Sequence, residues 1–108
     1  PPDKGAPAMT TQEQGRRELV ERFKLSDTTV LFDVFAESVS TVQGLYIDKM
    51  RAAGTAEEDA RWTERAVALR QYKRSVGPDN RDAMIDGILR MRAERASLTG
   101  SGPAASVA

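Results

Sequence analysis

The sequence predicts an all-α fold, a small bundle of three long helices preceded by a shorter one, between two irregular ends. Three features point there. Over residues 27–53 the apolar side chains Leu31, Val34, Phe35, Val39, Val42, Leu45, Tyr46 and Ala53 fall on one arc at helical spacing. Asp33, Glu37, Ser40, Gly44, Asp48 and Arg51 fall on the other. Start signals (Thr10, Ser26 or Asp27, Thr55, Asp79) and stop signals (Gly54, Gly77-Pro78) divide residues 10–98 into four segments. A strand reading of Thr28-Thr29-Val30-Leu31-Phe32 and Val39-Ser40-Thr41-Val42 is the rival, since these runs are β-branched. It loses because alternation with period two does not persist, whereas the 3.6-residue period does.

The first helix is expected from about residue 11 to 24. Thr10 and Glu13 are spaced for a capping box, in which side chains and backbone N–H groups satisfy each other at the helix start. Arg17 with Glu21, and Glu18 with Arg22, sit four apart and can pair. Its apolar side is short, Leu19, Val20, Phe23 and Leu25, so it needs docking to persist. The second helix is the long amphipathic one. Gly54 then suits a left-handed position just past its end. Thr55-Ala56-Glu57-Glu58 opens the third helix with a capping box and with acids at the positive end of the helix dipole. With so short a loop, the second and third helices should form an antiparallel hairpin.

The third helix carries Trp62, Ala66, Leu69, Tyr72 and Val76 on a narrow face and stops at Gly77-Pro78. Asp79 is expected to cap the fourth, which holds Met84, Ile85, Ile88, Leu89 and Met91 and runs to about Ser97. The expected core is Leu19, Phe23, Leu31, Phe35, Val39, Val42, Leu45, Tyr46, Trp62, Leu69, Ile85, Ile88 and Leu89. Residues 1–9 read as a disordered lead-in and residues 99–108 as a flexible tail, both rich in Pro, Gly and Ala. Met9 with the two threonines after it resembles a natural start, which would make residues 1–8 a cloning remnant.

Composition narrows the function. The 108 residues support one domain. The chain has no cysteine and no histidine. That removes thiolate nucleophiles, imidazole bases and most zinc sites. Sixteen basic and sixteen acidic residues balance, and no helical segment departs from neutrality by more than two charges. A phosphate-binding surface would therefore need its charges segregated. Near-zero net charge also removes long-range self-repulsion and eases association. The most apolar window, residues 28–47, includes Asp33, Glu37 and Gln43, which argues against a membrane span. Residues 1–5 lack a secretory h-region. Arg outnumbers Lys twelve to four and Ala is abundant, which suggests a GC-rich bacterial genome. Cytoplasmic is the default expectation.

Several residues invite a site reading. Asp33 and Glu37, one turn apart, could bind a divalent cation, but a solvated helix face accounts for them. Glu57, Glu58 and Asp59 are explained by capping. Arg65, Arg70, Lys73 and Arg74 make the end of the third helix basic, as its dipole favours. Arg92 and Arg95 are the anomaly. They occupy the arc that one turn earlier is apolar, and a buried unpaired arginine is too costly to be accidental. Either the last turns project past the core or these arginines pair with acids such as Asp48 or Glu37. Trp62, the single tryptophan, is a core anchor or an interface anchor. Gly44 and Gly87 interrupt helices at a cost, and Gly44 on the polar arc hints at a close contact there.

The expectation is thus a non-enzymatic helical protein that works through protein–protein contact, as a regulator, adaptor or antitoxin-like partner, with self-association included. Its candidate contact residues are Arg70, Arg74, Trp62, Arg92 and Arg95. No catalytic, cofactor-binding or metal-binding residue and no small-molecule substrate is assigned. The alternative is a nucleic-acid-binding regulator. There the 77–81 junction would act as a helix-turn-helix turn, with Asn80 and Arg81 opening the reading helix.

Overall fold

A computed structural model describes residues 10–100. The expectations for residues 1–9 and 101–108 lie outside the described residues. Among those described there are four helices and no strand: α1 Thr11–Phe23, α2 Thr28–Ala52, α3 Ala56–Ser75 and α4 Arg81–Thr99. The strand alternative for α2 is excluded. The helix α4 runs two residues beyond the expected end, and Gly100 closes it in the left-handed conformation at φ 70°.

The helix starts follow side-chain capping. Thr10 and Glu13 form the reciprocal capping box of α1. Asp27 accepts from the Thr29 N–H at 2.7 Å to begin α2, and Thr55 from the Glu58 N–H at 3.1 Å to begin α3. Two expectations are corrected. Asn80, not Asp79, caps α4, because a turn bond from the Asn80 N–H to the Gly77 carbonyl delays the helix by one residue. Gly54 is not left-handed. Ala53 leaves α2 in an extended conformation (φ −62°, ψ 131°), so the reversal needs no positive φ.

At the centre lies α2, which packs on α3 along one side and on α4 along the other, while α1 packs on α4. Leu31, Phe35, Val39, Val42 and Tyr46 of α2 are buried among Ala66 and Leu69 of α3 and Met84, Ile85, Ile88 and Met91 of α4. Leu19 and Phe23 bring α1 into that core. Val20 is exposed and Leu25 is 93% exposed, so the apolar side of α1 is half the expected width. The expected Arg17–Glu21 and Glu18–Arg22 pairs are not formed. Instead Glu21 pairs with Lys24 at 2.8 Å.

Three expected core residues sit at the rim. Leu45 lies at the edge of the α2 arc, Trp62 at the α2–α3 seam and Leu89 between α1 and α4, each half-buried. By length and mean hydropathy (1.2) α2 is apolar enough to cross a membrane, although Asp33, Glu37 and Asp48 stand within it. Its apolar arc, however, is the one packed on α3 and α4.

Gly87 makes the packing of α4 possible. A Cβ there would run into the Phe35 ring and come within 2.8 Å of the Tyr72 hydroxyl. At Gly44 a Cβ would meet nothing within 4 Å, so the close contact hinted at by that glycine is absent. The arrangement is broad and thin, 55 × 38 × 17 Å. Its radius of gyration of 16.6 Å exceeds the roughly 12–13 Å of a compact domain of this size.

Candidate functional site

That breadth comes from α1 and α3 standing apart on either side of α4. Between them runs an open groove of about 1300 Å³. Its first wall is α1, with Thr11, Gln14, Gly15 and Glu18; its floor is α4, with Asp86, Leu89, Arg90 and Ala93. The second wall is α3, with Arg65, Ala68, Leu69 and Tyr72. Gly15 lets α1 approach the floor closely, since a Cβ there would sit 3.0 Å from the Leu89 side chain. Arg16 fastens the same wall by pairing with Asp86 and, at 3.4 Å, with Asp82. These partners are exposed, so the pairs contribute little beyond register.

At the α3 side, polar groups are arranged around aromatic rings. The Tyr46 hydroxyl donates to the Glu94 carboxylate, and Arg65 lies 3.9 Å from the same carboxylate. Burial, reinforced by the hydrogen bond and charge of Glu94, pushes the Tyr46 phenol up to about 12. It therefore keeps its proton at neutral pH and serves as a donor rather than a nucleophile. Trp62 stacks obliquely on Tyr46 with ring centroids 5.9 Å apart. Arg65 lies 5.0 Å from the Trp62 centroid, and Lys49 5.9 Å. Arg90 rests 4.5 Å over the Tyr72 ring and has no carboxylate partner among the described residues.

The five candidate residues from the sequence do not converge. Trp62 stands behind the groove wall as an aromatic support rather than as an exposed anchor. Arg92 touches the groove edge. Together with Arg95 it also borders a separate depression of about 250 Å³, where Glu37, Ser38 and Thr41 of α2 face α4. Both arginines are exposed and neither forms an ion pair among the described residues, so the expected pairing with Asp48 or Glu37 is not made. Nor do the last turns stand clear of the core. Met91 is buried, while the guanidinium groups stay in water. Arg70 and Arg74 lie on the exposed side of α3. Asp33 and Glu37 are exposed, and among the described residues no three acidic, His or Cys side chains gather as a metal site.

Sequence reasoning placed Tyr72 only on the packing face of α3 and gave Glu94 no role. Tyr46 was expected in the core, but its link to Glu94 spans 48 residues and leaves no local pattern. It also missed Arg81, which reaches back to the end of α1. The guanidinium donates to the Ser26 carbonyl at 3.1 Å, to the Thr28 hydroxyl at 3.2 Å and to the Phe23 carbonyl. A cation on the last carbonyls of a helix is favoured by both hydrogen bonding and the dipole. Asn80 and Arg81 are thus both committed to contacts within the chain. Comparison with protein-family models, with curated proteins and with solved structures returns no match.

Proposed function

We propose that the protein is a non-enzymatic helical module that works by holding another polypeptide along the open side of α3 and α4. The observation that carries this reading is the groove. Small-molecule sites are typically about 300–1000 Å³, whereas three turns of a helix some 10 Å across occupy about 1300 Å³. The groove has the second size. Its floor and walls offer Leu89 and Tyr72 for apolar contact, with Gly15, Ala68 and Ala93 allowing close approach. Arg65 on the α3 wall and Arg90 on the floor supply orientation by charge.

The expectation that the apolar arc of α2 needs a partner to cover it is not met. The apolar arc of α2 is covered by its own neighbours, and what it leaves exposed is Val30 and Ile47. The surface left to a partner belongs to α3 and α4. The nucleic-acid alternative is not retained, because Asn80 and Arg81 are occupied and no segment is strongly basic.

A photoreactive amino acid placed at Ala68 or Ala93, in cells that make the protein, tests the reading. Adducts are expected at both positions and not at Ser40 on the exposed side of α2. Absence of adducts at Ala68 and Ala93, or equal labelling at Ser40, would overturn it.

A further inference from the structure

Resting on that reading, we infer that the polypeptide held on this side is a second copy of the same chain, with the two α3 helices packed antiparallel. The backbone of α3 packs closely on α2 alone, its Arg65 and Tyr72 side chains reach α4, and its far side is bare. Ala56, Ala60, Thr63, Val67 and Gln71 form an exposed stripe along it, bordering a shallow trough of about 540 Å³. Val67, at its middle, is 43% exposed. The alanines allow two helix axes to approach to about 8–10 Å.

Charge decides the occupant and its direction. In the first half of α3 stand Glu57, Glu58, Asp59 and Glu64 with Arg61 and Arg65, a net negative charge; in the second half stand Arg70, Lys73 and Arg74, with no acid. The helix dipole acts only within the first and last turns. It accounts for the terminal charges but not for Glu64 or Arg70. A helix acidic in one half and basic in the other is complementary to itself when reversed, and a twofold axis supplies that reversal.

Centring the axis beside Val67 sets Val67 against its own copy. Asp59 then comes level with Arg74 of the second copy, on the same flank of the pair. Asp59 and Arg74 are exposed and without ion-pair partners among the described residues, as that role requires. Glu64 faces the other flank, where the groove of the second copy presents Arg90. Ala68 borders both the stripe and the groove, so the two surfaces are continuous.

A helix of 20 residues spans about 30 Å, and a strip of it 10 Å wide presents about 300 Å² per copy. That is well short of the roughly 800 Å² per partner of stable complexes. The pairing is accordingly reversible and weakened by salt.

Sedimentation equilibrium of the full chain reads the outcome. The unaltered protein is expected to associate to a dimer at low ionic strength and to dissociate as salt is added. Val67→Glu, which opposes two carboxylates across the axis, abolishes the dimer. Asp59→Lys or Arg74→Glu alone weakens it about tenfold, and the two together restore it. Helical circular dichroism confirms that each variant is folded. A chain monomeric at every ionic strength, a dimer indifferent to Val67→Glu, or a double variant no tighter than the single ones would each overturn the inference. If the chain stays monomeric while Ala68 in cells labels a different protein, self-pairing fails and the protein-contact reading stands. Monomer with no labelling removes both.

Discussion

Helices α2 and α3 lie side by side as the two arms of one hairpin, yet the chain treats them in opposite ways. Five side chains of α2 are buried, from Leu31 to Tyr46, and neighbours cover it on both flanks. Only Ala66 and Leu69 of α3 are buried, and its outer side carries charge and small residues. The first helix is spent on stability; the second is left with surface to spare. Apolar character along the sequence therefore marks the core, and the surface open to a partner falls on the less hydrophobic helix.

The sharpest way to break this contrast is to cut each arm. Phe35→Ala in α2 is expected to destabilise the fold by about 3–5 kcal/mol, since the ring is fully enclosed. Val67→Ala in α3 should change stability by no more than about 0.5 kcal/mol. Urea denaturation followed by circular dichroism measures both. The next test uses glycines. Gly87→Ala should cost about 1–3 kcal/mol, because the new methyl meets Phe35 and Tyr72, whereas Gly44→Ala should raise stability by about 0.5–1 kcal/mol.

Arg81→Ala removes the donor that ties the end of α1 to the start of α4. A loss of about 1–2 kcal/mol is expected, together with faster amide exchange in α1 than in α2. The smallest effect concerns alkaline pH. The Tyr46 phenol has its folded value raised to about 12 from 10, so its contribution is complete below pH 10 and is lost as pH rises towards 12. Tyr46→Phe should flatten the stability profile in that window, as followed by thermal melts.

The helices were legible in the sequence because their signals are local. Thr10, Asp27 and Thr55 cap them in place, and the α2 arc is long enough to outvote its β-branched residues. What escaped depends on distance along the chain. The docking of α1 on α4 is registered by Arg16 meeting Asp82 and Asp86, and the α1–α2 junction is held by Arg81, contacts more than fifty residues apart. Gly87 looked like a cost, and its reason is visible only once Phe35 and Tyr72 converge on it. Arg92 and Arg95 were anomalous on a helical wheel because a wheel treats side chains as short. Both are exposed beside the buried Met91, bordering the depression between α2 and α4.

The most direct test of the account is an amide NMR spectrum of the full chain recorded at rising protein concentration and low salt. The account predicts shifts confined to the outer stripe of α3 and the groove residues of α4, centred on Val67, while Asp33, Glu37, Ser40 and Asp48 of α2 stay fixed. Shifts centred on that polar side of α2, or a spectrum unchanged across the series, would contradict it.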